Sequence, residues 1–245
     1  MRYGGVGREA QILDVLQSVQ PDVTLLVEVT DTAVVATFAS AMQMQSFIAP
    51  GNGFSIALLS RWSIVEASST RPFPPIRDTI LDAVVEYQPG RRLYLIGVHP
   101  IAFPGTFFEC WRRWEVSLAL KRAAAHQNQP CIIAGDFNAI APGDRVLKDG
   151  APREMRLLYG LQRGYIYRTV MERIAKAGFT DCFRRLHPGE DGFTIPTPQP
   201  KVRLDYICAN PLAAEGLRRC EVIRQPEAVD QASDHYPLLA EFDLE

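Results

Sequence analysis

Three short apolar runs in this chain each carry or end on a carboxylate, and any fold it adopts has to accommodate them. Glu28 interrupts Leu25-Leu26-Val27-Glu28-Val29, Asp136 follows Cys131-Ile132-Ile133-Ala134-Gly135, and Asp205 sits within Arg203-Leu204-Asp205-Tyr206-Ile207. Runs of this length and content read as strands. An ionised carboxylate on such a strand is costly to bury unless it is paired, binds metal or stands at an exposed strand end. Each has a plain structural reading when taken alone. A strand-end glutamate is commonly a surface residue, and Gly135-Asp136-Phe137-Asn138 by itself could be an Asx turn.

Two histidines sharpen the picture. Ser233-Asp234-His235-Tyr236-Pro237 sets a carboxylate beside an imidazole just ahead of a final strand. A carboxylate such as Asp205 that accepts from a histidine N–H fixes its tautomer and favours its charged form. His99 follows a strand and precedes Pro100, a position that a satisfied loop histidine could also fill. Together, Glu28, His99, Asp136, Asn138, Asp205, Asp234 and His235 all stand at or next to strands, which is hard to explain structurally. The chemistry they suit is phosphoester hydrolysis. Hard carboxylate oxygens bind Mg2+ or Mn2+, histidines stabilise or protonate phosphate oxygens, and an aspartate with a neighbouring amide can orient a water. Soft-metal sites are disfavoured: the five cysteines (Cys110, Cys131, Cys182, Cys208, Cys220) are widely spaced with no CxxC pair, and read as buried free thiols in a reducing compartment.

Hydrophobic periodicity predicts helices over 8–19, 30–44, 106–125 and 168–177. It predicts strands over 23–29, 54–60, 63–67, 79–87, 92–98, 131–134, 204–209, 221–224 and 237–242. Phe107, Trp111, Trp114 and Leu118 share one helical stripe and are read as core. The polar stretch 139–168 is too long for an idle connection and is read as a functional loop. No repeat, low-complexity tract or linker divides the chain, so one domain over 1–245 is expected. Helices interleaved with two groups of strands imply stacked sheets with helices outside. With 47% hydrophobic and 22% charged residues, the 245-residue chain can bury a sizeable core. A net charge of −2 and a pI near 6.1 argue against a protein that coats nucleic acid, while leaving room for a local basic groove. No apolar run approaches membrane-spanning length and the start is polar, so a soluble, cytoplasmic protein is expected.

The ordered set Leu26-Val27-Glu28-Val29, Ala57-Leu58-Leu59-Ser60-Arg61, Gly97-Val98-His99-Pro100, Gly135-Asp136-Phe137-Asn138, Arg203-Leu204-Asp205-Tyr206-Ile207 and Ser233-Asp234-His235 resembles the endonuclease/exonuclease/phosphatase family. That family includes exonuclease III-type and deoxyribonuclease I-like enzymes. The resemblance spans almost the whole chain and implies an α/β fold. Its form would be a four-layer sandwich, two mixed β-sheets packed face to face with helices on the outside. It implies that Glu28 ligates the catalytic metal, Mg2+ or Mn2+, with Asp234 beside it. Asp136 would position or deprotonate the attacking water, and Asn138 would orient water and phosphate. His235 would contact the scissile phosphate while Asp205 holds it, His99 would assist the leaving group, and Arg77 would contact phosphate. Two departures stand out. Val27 occupies the place of the family's usual Gln, and the chain opens Met1-Arg2-Tyr3-Gly4-Gly5 where relatives have already completed a strand ending in Asn. The expectation is therefore a mis-set start, with the first family strand and one metal-site amide lying upstream.

Substrate choice is less constrained. Residues 145–173 hold seven basic residues against three acidic ones, with Tyr159, Tyr165 and Tyr167 interleaved. Such a stretch could grip phosphates and stack on bases, or be a solvated helical hairpin. A phosphodiesterase or nuclease acting on DNA or RNA leads, and a monomer is expected. The alternatives are a phosphatase or phosphodiesterase of a small-molecule or lipid phosphoester, and an inactive binding module.

Overall fold

Burial of the central strands on both faces sorts the computed structural model into layers. The described residues are 2–72, 79–147, 149 and 166–244. After a short 3-10 turn at Arg2–Gly5 come α1 (Glu9–Val19), β1 (Val23–Val29), α2 (Thr32–Met42), β2 (Gln45–Ala49), β3 (Ser55–Ser60), β4 (Ser63–Thr70), β5 (Ile80–Gln88), β6 (Arg91–Val98) and α3 (Thr106–Ala124). Then follow β7 (Cys131–Asp136), α4 (Thr169–Lys176), β8 (Thr180–Asp181), α5 (Cys182–Leu186), β9 (Asp205–Ala209), α6 (Pro211–Glu215), β10 (Leu217–Val222), α7 (Val229–Ala232) and β11 (Leu238–Phe242).

A mixed six-stranded sheet runs in the order β4-β5-β6-β7-β9-β8, with β6 and β7 parallel. Opposite it stand two antiparallel pieces, β1-β3-β2 and β10-β11. Leu81, Ala83 and Val85 of β5, Leu93 and Leu95 of β6 and Ile132 of β7 meet Ile56 and Leu58 of β3 in the core between the layers. The alternate residues of the same strands face outward, as a two-residue side-chain period requires. Ile80, Val84, Tyr94, Ile96, Val98 and Ile133 pack under α3 and α4. Leu26, Ala57 and Leu59 pack under α1, α2 and α7. The layers thus run helices, six-stranded sheet, smaller sheets, helices, matching the expected sandwich. Among the described residues no helix is long and apolar enough to cross a membrane.

Four expectations are corrected. The helix predicted over 30–44 spans only Thr32–Met42, because Gln43 turns left-handed at φ 55° and β2 follows at once. The strand predicted over 221–224 is β10, four residues earlier in its start. Of the stripe on α3 only Leu118 packs against the core, and its aromatic members are not core. The buried residues of this helix are Glu109, Arg112, Glu115, Val116, Ala119 and Ala123, whereas Phe107 is 64% exposed. Four cysteines are buried as expected, but Cys110 is exposed.

Candidate active site

Three adjacent strands of the six-stranded sheet deliver three of the expected residues to one edge. Val98 pairs with Gly135 in the parallel β6–β7 ladder, and Asp136 pairs with Asp205 in the antiparallel β7–β9 ladder. His99, which follows β6, therefore stands beside Asp136, and Asp136 beside Asp205. Gly135 permits this approach. At its φ of +143° a Cβ would lie 2.0 Å from the Val98 carbonyl oxygen, so only glycine fits.

The opposite layer contributes Glu28 and the turn around His235. Glu28 has φ 61° and sits where the β1–β3 register shifts between Leu26 and Val29. A left-handed non-glycine at a bulge is a costly conformation of the kind that accumulates at functional sites, and it re-aims the side chain. The 233–236 turn is held by its neighbour in space. Thr197 N donates to Asp234 O at 3.0 Å, and Tyr236 N donates to Thr194 O at 2.8 Å. The His235 backbone N–H donates to Ser233 Oγ at 3.2 Å.

Nδ1 of His235 lies 2.8 Å from Asp205 Oδ2, and its Nε2 faces Asp136 Oδ2 at 3.9 Å. His99 Nε2 faces the same Asp136 oxygen at 3.8 Å and Glu28 Oε1 at 3.9 Å. These gaps exceed hydrogen-bond length, and a single oxygen atom can bridge polar groups so spaced. Asp136 Oδ1 accepts from the Asn138 N–H at 2.8 Å, while the Asn138 amide donates through Nδ2 to Pro100 O at 3.0 Å. Asn138 is also left-handed, at φ 47°. The structure thus brings Glu28, His99, Asp136, Asn138, Asp205 and His235 together. Asp234 is adjacent, its charge acting on both Glu28 and His235. Arg77 lies outside the described residues, as does most of the basic stretch.

The two imidazoles are driven apart in protonation. Burial disfavours charge on His235, but Asp205, Asp136 and Asp234 outweigh it and push its pKa up to about 10. Burial lowers the pKa of His99, and Asp136 does not restore it. Asp136 is raised by burial against the pull of His235, and Glu28 is raised by burial with help from Asp234 and Asp205. Asp205 is half-buried, yet the charge and hydrogen bond of His235 hold it below the usual carboxylate range. A charged and a neutral imidazole flank one elevated carboxyl, a pattern that separates acid from base roles.

Four carboxylates against two imidazoles leave excess negative charge, which a hard divalent cation would balance. Asp136, Asp205 and His235 offer ligand atoms within 4.8 Å of one another. Glu28 and Asp234, whose charges act on the same group, stand beside this trio as further candidate carboxylate ligands. Their all-oxygen donor set fits Mg2+ or Mn2+.

The sequence did not disclose what supports this edge. Arg203 is fully buried, with Nε 2.8 Å from Asp144 Oδ2 and Nη2 2.6 Å from Asp181 Oδ2. Arg184 adds a contact to Asp144 at 2.9 Å. The Tyr206 hydroxyl donates to Ala139 O and accepts from Ala141 N, both at 3.0 Å, fixing the loop after Asn138. The one available signal was Arg203 opening an otherwise apolar strand.

The model of the Endonuclease/Exonuclease/phosphatase family matches residues 3–235. No curated protein sequence matches the chain. Among solved structures, an AP endonuclease from Archaeoglobus fulgidus superposes with TM-score 0.77 at 18% identity, covering 96% of this chain and 94% of that one. The 3' phosphatase NExo from Neisseria, bound to a product DNA hairpin, gives TM-score 0.75 at 22% identity with the same coverage of 96% and 94%. TDP2 from D. rerio, complexed with a single-strand DNA product, gives 0.70 at 19% identity, covering 96% and 91%.

Proposed function

The chain belongs to the endonuclease/exonuclease/phosphatase family, and from that premise we propose that it is a divalent-metal-dependent phosphodiesterase acting on DNA or RNA. The observation that carries this reading is the pair of imidazole nitrogens aimed at one Asp136 oxygen, at 3.8 and 3.9 Å. The gap suits a water or phosphoryl oxygen.

Asp136, raised by burial, is poised to accept a proton from an attacking water. Its Oδ1 is fixed by the Asn138 N–H, so Oδ2 points at the gap. His235 is held cationic by Asp205 and stabilises charge developing on phosphoryl oxygens. His99 stays neutral and offers hydrogen bonding to the leaving oxygen. Asn138, tied to Pro100, keeps the loop that carries His99 in place relative to Asp136. Glu28 and Asp234 would hold the Mg2+ or Mn2+, which when bound polarises the phosphoryl group and neutralises its charge.

A nucleic-acid substrate is favoured by the DNA-bound relatives named above, which share this fold. The slightly acidic net charge of −2 favours the second reading, a smaller phosphoester. The test is hydrolysis of bis-p-nitrophenyl phosphate with Mg2+ or Mn2+, alongside Asp136→Ala and His235→Ala. Metal-dependent turnover lost in both variants supports the reading; turnover that survives either one overturns these roles. Salt-dependent DNA binding then separates the nuclease from an enzyme of small phosphoesters.

A further inference from the structure

The aromatic file of α3 is not accounted for by packing or by the proposed chemistry. Phe103 and Phe107 are 58% and 64% exposed, more than any other large apolar side chain among the described residues. They are linked into one file of rings. Phe103 lies 5.3 Å from Phe108, Phe107 lies 5.4 Å from Phe108 and 6.1 Å from Trp111, and Trp111 lies 5.4 Å from Trp114. Rings on a mobile loop would fold inward to shed water. These are held out by a built support.

That support consists of the buried charges of α3. Arg112 is 5% exposed and donates to Ile101 O at 3.0 Å and to Phe103 O at 2.7 Å. Glu115 accepts from the Ile101 N–H at 3.2 Å. Phe103 itself has φ 100°, a backbone conformation that L-residues rarely adopt and that persists only when surroundings impose it. The same loop begins at His99, and Asn138 donates to its Pro100 carbonyl. Four residues of chain place Phe103 within about 14 Å of His99 at full extension. Beyond Phe107, the outward face of α3 becomes cationic, with Arg113 and Lys121 exposed. The chain leaving the basic stretch lands here too, through a hydroxyl–hydroxyl hydrogen bond between Tyr167 and Thr106.

We propose that Phe103 and Phe107 form a stacking platform for unpaired bases of a single-stranded nucleic acid whose phosphodiester lies at the Asp136 site. The inference rests on the phosphodiesterase reading and names the part of the substrate that the site binds outside the chemistry. Stacking requires exposed rings held rigidly, and base faces are available only in an unpaired strand. Arg113, about 9 Å along the helix from Phe107, suits a phosphate next to the stacked bases, and Lys121 one farther along the strand. A lipid surface is disfavoured, because the exposed apolar face gives way within two turns to Arg113 rather than continuing as a stripe.

The test uses a single-stranded oligodeoxynucleotide containing 2-aminopurine, whose fluorescence falls when it stacks, titrated without divalent metal. The unsubstituted protein is compared with Phe103→Ala/Phe107→Ala and with Leu212→Ala, a control at another exposed apolar residue. Circular dichroism melts verify that each variant folds. Quenching by the unsubstituted protein and the control, with binding weakened about 10- to 100-fold in the double variant, is expected. An abasic strand of equal length should bind weakly and respond little to the substitutions. Absence of quenching, or affinity retained within about twofold by the double variant, overturns the proposal. Equal losses on duplex and single strand overturn it as well. So does loss of binding to phosphatidylserine vesicles with oligonucleotide binding unchanged, which would assign the face to lipid. Bis-p-nitrophenyl phosphate turnover by the unsubstituted protein is measured in parallel. Quenching as expected without that turnover leaves the platform standing and removes the hydrolase reading.

Discussion

Asp205 holds the imidazole of His235 by a 2.8 Å contact to Nδ1, which turns Nε2 toward Asp136. The pairing sets the sign of a pH response. His235 is raised from 6.5 to about 10, so the stability it contributes is complete below 6.5 and is lost as pH rises through about 10. Asp205 is lowered from 3.8, so its contribution is present above 3.8 and is lost as pH falls through the lowered value. In metal-free protein the His235 ring signal in NMR should stay flat across neutral pH. Asp205→Asn should bring its titration back toward the ordinary histidine value. A native midpoint near that ordinary value would refute the pairing.

Asp136 is buried, and burial raises its pKa, so on the proposed reading its carboxylate serves function at some expense of stability. Asp136→Asn should lower kcat by about 10²- to 10⁴-fold while leaving the melting temperature unchanged or higher. Steady-state kinetics and calorimetry on one preparation check both halves. A variant that loses activity only because it unfolds contradicts the assignment.

Cation binding should be visible without turnover. At about 100 times Kd, a ligand specific to the native state adds about 2.7 kcal/mol. For a chain of this size that raises Tm by roughly 5–10 °C. Mg2+ or Mn2+ should produce that rise over a chelated sample, and Glu28→Gln should remove most of it. Identical melts with and without the ion would argue against a metal site.

Arg203 is enclosed by Asp144 and Asp181, and its guanidinium lies 4.4 Å from the Tyr206 ring. Arg203→Met removes the cation from Asp181 and leaves Asp144 with Arg184 alone, and should cost up to about 3–5 kcal/mol, read by urea denaturation. Asp205 is two residues away, so activity should fall at temperatures where the variant is still folded. A loss below about 1 kcal/mol would mean that the cluster is a minor support.

How much of this was legible follows from which forces are local. β1 falls where expected because a run of valine and leucine after Pro21-Asp22 has no competing pattern. β10 was displaced because Leu217 and Cys220 turn inward while Arg218 and Arg219 are exposed, and a register shift breaks their alternation. The stripe of Phe107, Trp111 and Trp114 shows that periodicity finds the faces of a helix but not which one points inward. Here the interior took Glu109, Arg112 and Glu115, which pair with the loop ahead of the helix, with each other and with a distant segment: Glu109 accepts from the Thr169 hydroxyl and N–H. The carboxylates and histidines of the site were legible because their chemistry conflicts with their apolar surroundings. Arg203 and Asp144 were not, because a buried ion pair makes sense only once both members are placed.

The site straddles the joint between layers. Glu28 belongs to one sheet, Asp136 and Asp205 to the other with His99 just past its edge, and His235 to a turn leading into a third piece. A slip of about an ångström between layers, too small to expose the core, would pull the constellation out of reacting geometry. The turnover proposed for this site would then be its finest strain gauge: mild denaturant should silence it before spectroscopy registers any loss of structure.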